Sequence, residues 1–426
     1  MKIINEVSVV IRKRSFPSFI DELYKRDCDL VELRHVEERD DGYLYSLRVG
    51  YTNPKRFEEF ITIIGNAGDK YRVLSVKNIM EEMITGGLIN IAGKSRLETV
   101  ADFRTSVLGA AELIQEKIRN GNGYGFTGIS RNVALISGVK TRDETEQENL
   151  LAEYAAAERD AVILNRFGGL NGMPVTIRFD HTEDIITVMR KIEHNFSALR
   201  IMHIDEATMM LHEQIVSELR SPVISREHDE TPLYLLTFII KILLKHRIKP
   251  EETTVGMIGI DLCAVRLARV LDSAGFHRVL GIDLSEMSML ALENQGGLAT
   301  TAENIFNNAD ITIILKNTFT RDEFQKIRPG QFVISLLSDE DLEADAVSGK
   351  GVREFIRVDL SDLAVLFPGV VRGLIGTGPG PLTDIKMIEY AKKLVGFLSD
   401  AFEFPHLFSD IHDRVCGLVR SGRERA

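Results

Sequence analysis

The stretch "VGMIGIDLCAVRLARVLDSAGFHRVLGID", residues 255–283, limits the folds open to this chain more than any other. An apolar run ends at Gly259, apolar residues then recur at helical spacing, and a second apolar run ends at Asp283. Strands that do not alternate are buried on both faces, and a helix between two of them makes a parallel crossover. The pattern repeats in "ADITIILK" and "FVISLL". Residues 231–426 therefore read as a Rossmann-like, doubly wound parallel sheet, opening with the apolar helix "PLYLLTFIIKILL". In such a sheet the first strand-to-helix turn seats a pyrophosphate on the helix N-terminus. That turn wants a glycine two residues after Gly259, and this chain has Asp261. Ala264 stands acceptably at the third glycine position. Asp283 stands where an acid would bind a ribose. It also fits a plainer part, because Asp283 and Glu286 in "DLSE" spell a capping box.

Residues 1–80 carry a different pattern. "NEVSVVIRK" alternates as a strand and "FPSFIDELYKR" has helical spacing. "CDLVELRHVEE" and "GYLYSLRVGYT" flank a hairpin turn, "PKRFEEFITIIGNAGD" is a helix opened by proline, and "YRVLSVKNI" is a last strand. The order is βαββαβ, a ferredoxin-like split sandwich. It resembles the ACT domain, a regulatory module whose members pair side by side and bind amino acids or similar effectors. Between the two lies an α/β region, 81–230. There "LETVADFRTSVLGAAELIQEKIRNG", "EQENLLAEYAAAERD" and "TEDIITVMRKIEHNF" read as helices, and "NVALIS", "AVILNRFG" and "PVTIRF" as strands.

Composition narrows the function classes. The net charge of −11 argues against a nucleic-acid partner, since such surfaces are cationic. The cysteines Cys28, Cys263 and Cys416 show no paired spacing, which fits a reducing compartment. The longest apolar run is interrupted by Lys241 and is too short to span a bilayer. No membrane association and a cytoplasmic location are the resulting expectations.

Several segments, in order, resemble the malic enzyme family: "YGFTGISRNVALIS" (124–137), "AERDAVILNRFGGLNGMPVTI" (157–177), "SPVISREHDETPLYLL" (221–236) and "VLFPGVVRGLI" (365–375). The resemblance covers roughly 85–400. It implies a malic-enzyme N-terminal α/β domain at 81–230, joined to the ACT-like domain at 1–80 and the Rossmann-like domain at 231–426. It also implies NAD(P)-dependent oxidation and decarboxylation of malate with Mg²⁺ or Mn²⁺, and a homodimer. The family's functional positions are nonetheless degenerate here. The base lysine is replaced by Asn165, whose amide cannot take a proton, beside Arg166, which stays protonated. The acid tyrosine, from a turn before a helix, falls at Ser106 in "SVLG". The adjacent metal carboxylates become Met202 and His203, and the third survives in kind as Glu227. The malate-binding asparagines correspond to Ser338 and Leu363. Mg²⁺ and Mn²⁺ prefer oxygen donors, so the metal site is impoverished.

The leading reading is a catalytically inactive relative that senses a small-molecule effector such as an amino acid. In it the "RKRSF" turn, 12–16, is the candidate effector contact. One alternative is a working NAD-dependent malic enzyme with a substitute base such as Lys94, Lys140 or Lys191. Another is a different metal-dependent enzyme on the same frame, drawing on His203, Asp205, Glu206, Glu227, His228 and Asp229. The glycines of 168–169 and 376–381 read as loops, Met209 and Met210 as core, and Cys263 as a packed thiol.

Overall fold

A computed structural model describes residues 3–39, 41–79, 85–89, 98–121, 124–141, 146–204, 212–316, 326–337, 351–358, 360–376 and 382–421. The chain divides into two compact units, Met1–Asn90 and Ile91–Ala426.

In the first unit, strands β1 (Ile3–Ile11), β2 (Asp29–Arg39), β3 (Gly42–Tyr51) and β4 (Tyr71–Asn78) form an antiparallel sheet ordered β2-β3-β1-β4. Helices Phe16–Tyr24 and Pro54–Asn66 complete the βαββαβ order. The second helix is started by Asn53, whose side chain accepts from the Lys55 N–H, with Pro54 in the first turn. Phe19 and Leu23 from one helix and Phe57, Phe60 and Ile64 from the other pack on Val7, Val9 and Ile11. Phe19 and Phe60 meet edge to face at 5.4 Å. The outer strand β2 buries little, and Val31, Leu33 and Val36 stay exposed.

The second unit holds two parallel sheets. The first comprises β5 (Asn132–Lys140), β6 (Asn171–Phe179), β7 (Ala198–His203) and β8 (Val223–Ser225) in the order β6-β5-β7-β8. The Glu146–Ile163 helix lies on it so closely that a Cβ on Gly172 would come within 2.6 Å of the Ala161 Cα. That helix corrects one expectation. "AVILNRFG" is not a strand: Ala161 to Ile163 finish the helix and Leu164–Gly168 continue as a π-helical turn. The buried positions Ala157, Ala161 and Leu164 recur at helical spacing, which outweighs the β propensity of the intervening Val162 and Ile163.

The second sheet comprises β9 (Thr254–Ile258), β10 (Arg278–Ile282), β11 (Leu298–Ala299), β12 (Ile311–Ile314), β13 (Phe332–Ser335) and β14 (Glu354–Arg357). Its order, β11-β10-β9-β12-β13-β14, with all neighbours parallel, is the Rossmann arrangement with the switch point at the end of β9. The Thr231–His246 helix is buried along most of its length. No described helix is long and apolar enough to cross a membrane. "FPG" opens a helix, Phe367–Leu374, rather than forming a free turn, and Pro368 sits in its first turn. Gly369 lets the Ile411–Ser421 helix approach, since a Cβ there would lie 2.6 Å from the His412 carbonyl oxygen.

Candidate functional site

The switch point is built from the turn after β9. Gly259 has φ +81°, and an added Cβ would fall 2.6 Å from Lys316 Cβ. No other residue type fits that conformation and that gap without strain. Asp261 is the N-cap of the Leu262–Ser273 helix, its Oδ1 accepting the Ala264 N–H at 2.9 Å. Asp283, at the end of β10, accepts the Ile260 N–H at 2.7 Å through Oδ2 and the Ser285 N–H at 2.8 Å through Oδ1. Gly259 itself donates to the Ile282 carbonyl at 2.9 Å. Lys316 Nζ donates to the Ile260 carbonyl at 3.3 Å, laying an ammonium across the turn.

Asp283 therefore does not form the expected capping box with Glu286. Ser285 caps the Glu286–Glu293 helix, its side chain accepting the Ser288 N–H. Asp283 instead accepts from the Ile260 N–H across the switch point and from the Ser285 N–H two residues on, so both its oxygens are taken by backbone. A dinucleotide needs open N–H donors at the helix start and an acid free for a ribose. The N–H groups of Gly259, Ile260 and Ala264 are already satisfied by the protein, and an Asp261 carboxylate stands where phosphate charge would lie. The residues present do not fit the cofactor the resemblance implies.

The two segments that the resemblance aligns with the family's metal ligands meet. His203 ends β7 and Glu227 lies in the π-helical turn Arg226–Glu230, with His203 Nδ1 and Glu227 Oε1 at 3.2 Å. The turn is fixed by Ser225, whose hydroxyl accepts the His228 N–H. The hydrogen bond to Glu227 raises the His203 pKa against the opposing effect of burial. Met202 is buried. One carboxylate, one imidazole and a buried thioether are a poor set for Mg²⁺ or Mn²⁺, which seek several oxygens. The family cation does not fit here either. Cys263 is buried, and burial, then the Asp261 and Glu227 carboxylates, push its thiol well above the usual range. It is a packed thiol.

Asn165 sits in the π-helical turn Leu164–Gly168 and donates to the Leu170 carbonyl at 3.3 Å. Gly169 closes that turn at φ +64° and its carbonyl is held by Arg131. Ser106 lies in the π-helical segment Arg104–Gly109, between the helices Val100–Phe103 and Ala110–Arg119, inside the region read as helical. Leu363 is core. Lys140 and Lys191 are exposed, at the end of β5 and on the Thr182–Ile192 helix. Lys94, Asp205, Glu206, Met209, Met210, Ser338 and residues 377–381 lie outside the described residues.

A buried ionic cluster was not foreseen. Arg200, on β7 and 1 % exposed, donates through Nε and Nη2 to the two Glu230 oxygens at 2.7 and 2.6 Å. Its Nη1 donates to Asp160 Oδ2 at 2.8 Å, and its guanidinium stacks 4.2 Å from the Phe367 ring centroid. Burial works to lower the Arg200 pKa, but the Glu230 and Asp160 carboxylates outweigh it and raise it. An arginine inside the apolar run "ALRIM" was the available signal, since such a residue must find buried carboxylates. His212 was also missed. It lies buried against His228 and Asp229.

Two parallel sheets, the second wound in Rossmann order, make this an α/β protein with a Rossmann-like sheet. No protein-family model matches the chain. It is 22 % identical over 399 residues to NAD-dependent malic enzyme 1 of Bacillus subtilis, covering 92 % of this chain and 90 % of that protein. It is 26 % identical over 235 residues to the NAD-dependent malic enzyme of Geobacillus stearothermophilus, covering 52 % of this chain and 48 % of that protein. The malic enzyme of Pyrococcus horikoshii superposes with a TM-score of 0.66 at 19 % identity, over 80 % of this chain and 87 % of that one. The NAD-dependent malic enzyme of Thermotoga maritima gives 0.66 at 16 % identity, over 80 % and 98 %. These structures show the fold, and with the relatives they support kinship with the malic enzyme family: the chain is malic-enzyme-like.

Proposed function

We propose that this protein keeps the malic-enzyme frame as a ligand-sensing, non-catalytic protein. The observation that carries the reading is the Asp261 cap: its Oδ1 accepts from Ala264 N–H at 2.9 Å, in the space a pyrophosphate requires. Asn165 in place of a base, Ser106 in place of an acid, and the His203–Glu227 pair in place of a carboxylate set support it from three other positions. The three-part division at 80 and 230, the cytoplasmic location and a homodimer are parts of the same reading. The βαββαβ order and the β2-β3-β1-β4 sheet support an ACT-type regulatory role for the first unit. Its "RKRSF" turn, where Arg14 takes φ +77°, is the effector contact in this reading. The runner-up is an active NAD-dependent malic enzyme, favoured by the name of the Bacillus subtilis relative. It would require a base other than Asn165.

The deciding experiment monitors nicotinamide absorbance with malate, Mn²⁺ and NAD⁺ or NADP⁺, alongside thermal shift with each nucleotide. The expected result is a rate equal to the protein-free blank and no shift, because a ligand that binds only the native state must raise the melting temperature. Saturable turnover would overturn the reading in favour of the runner-up. A thermal-shift panel of amino acids is expected to yield at least one stabiliser whose effect disappears when Arg12 and Arg14 are replaced by alanine.

A further inference from the structure

We infer that His212, His228 and Asp229 form a binding site for a divalent transition metal of the zinc class, separate from the His203–Glu227 pair. The three side chains are buried and offer ligand atoms that all lie within 4.8 Å of one another. His212 Nε2 faces Asp229 Oδ2 at 3.7 Å, too far for a hydrogen bond, and His228 Nδ1 lies 3.1 Å from Asp229 Oδ1. The two imidazoles stack with centroids 3.9 Å apart. A tetrahedral ion with bonds of about 2.0–2.1 Å holds its ligand atoms roughly 3.3 Å apart and lies in the plane of each ring, so binding requires the two stacked imidazoles to turn apart about their side-chain bonds.

Independent observations point to a cation rather than to ordinary packing. Neither ring nitrogen of His212 has a hydrogen-bond partner, although the side chain is 1 % exposed. An orphaned buried polar group of this kind costs about 1–3 kcal/mol. A metal on Nε2 removes one orphan outright. Asp229 is fully buried, and its contacts are the Ser225 N–H and the two imidazoles. The nearby arginines are committed elsewhere: Arg266 pairs with Asp384, and Arg269 with Glu213 and Asp384. A buried carboxylate without a fixed counter-charge is costly, and a bound cation would supply one.

The donor set also selects the ion. Two imidazoles and a carboxylate suit Zn²⁺ and its neighbours, whereas Mg²⁺ and Ca²⁺ prefer oxygen ligands. A cavity of about 110 Å³ borders the site, and its lining includes His212, His228, Glu213, Arg266, Arg269 and Gln295. It has room for a water as the fourth ligand. The Asp229 carboxylate is already oriented by the Ser225 N–H at 2.8 Å, the outer-shell contact that metal ligands characteristically have.

The test uses the full chain, untagged and dialysed against a chelator, then reloaded with Zn²⁺ or Co²⁺ and desalted. Elemental analysis is expected to find about one equivalent retained, and the cobalt form to show the intense visible absorption of a tetrahedral site. His212→Ala should drop retention to the level of a chelator-treated control, while His203→Ala should leave it unchanged. Equal loss in both variants, full retention in His212→Ala, or no retention by the unmodified protein would each overturn the site. If His212→Ala fails to fold, X-ray absorption on the zinc-loaded unmodified protein decides. Imidazole scattering from two ligands is expected, and its absence refutes the assignment.

Discussion

The buried Arg200 cluster makes a prediction large enough to be unambiguous. Replacing Arg200 by methionine keeps an unbranched apolar stem but removes the guanidinium. Asp160 loses its 2.8 Å partner and Glu230 both of its bonds, at 2.7 and 2.6 Å. The Asp160, Arg200 and Glu230 side chains are 5, 1 and 3 % exposed, so water cannot take over. Deleting one partner of a buried pair costs about 3–5 kcal/mol, chiefly from the carboxylates left behind. At about 2–4 °C per kcal/mol for a large domain, the second unit should lose about 6–20 °C of melting temperature. If stranded charge is the cause, neutralising one carboxylate should help, and Arg200→Met with Glu230→Gln should recover part of the loss. Urea unfolding followed by circular dichroism, with the two units' transitions fitted separately, measures this. A single variant within about 1 kcal/mol of the unmodified protein would refute the reasoning, since surface pairs cost no more than that. A double variant less stable than the single would do the same.

Two further predictions concern the Asp261 cap and the His203–Glu227 pair. Asp261→Asn keeps a capping acceptor and should change stability little, whereas Asp261→Ala should cost about 0.5–2 kcal/mol. Equal stabilities in urea would show that Asp261 does not cap the helix. His203 has its pKa raised by the hydrogen bond to Glu227. Its folded value lies above its unfolded value, so its contribution to stability is complete below about pH 6.5 and fades as pH rises through the folded pKa. An NMR titration of the His203 ring should show a midpoint above that of a free imidazole, and Glu227→Gln should bring it down. An unmoved midpoint would mean that the pair is not formed in solution.

The continuous apolar strands around Gly259 and the βαββαβ order of the first unit were legible because period and turn chemistry act locally. "AVILNRFG" misled for the opposite reason. Its β-branched residues favour a strand, but Ala157, Ala161 and Leu164 bury one helical face against β6, and that packing decides. The meeting of His203 with Glu227 could be expected only through the family resemblance, since a separation of 24 positions gives no local hint. Arg200, Asp160 and Glu230 come from separate elements, and only the arginine's odd setting in an apolar strand betrayed a buried partner. Asp283 was misassigned because a capping box is a local pattern. The competing bond to the Ile260 N–H crosses from β10 to the turn after β9, a contact no local pattern encodes.

The switch point obeys a simple exclusion. The first N–H groups of a helix have no partner within it, so they are met by water, a ligand or a nearby side chain. A turn that receives a phosphate must leave them open in the free protein and bear that cost until the ligand arrives. Here Asp261 meets the Ala264 N–H, Asp283 meets the Ile260 N–H, and Lys316 lies against the Ile260 carbonyl. Each of these contacts stabilises the turn, and a phosphate accepting from the Ile260 or Ala264 N–H would have to displace a carboxylate. Removing the Asp261 charge alone would therefore not create a nucleotide site, because Asp283 would still hold the adjoining donor. The bonds that order the turn at the switch point thus occupy two of the N–H groups that a phosphate would otherwise meet.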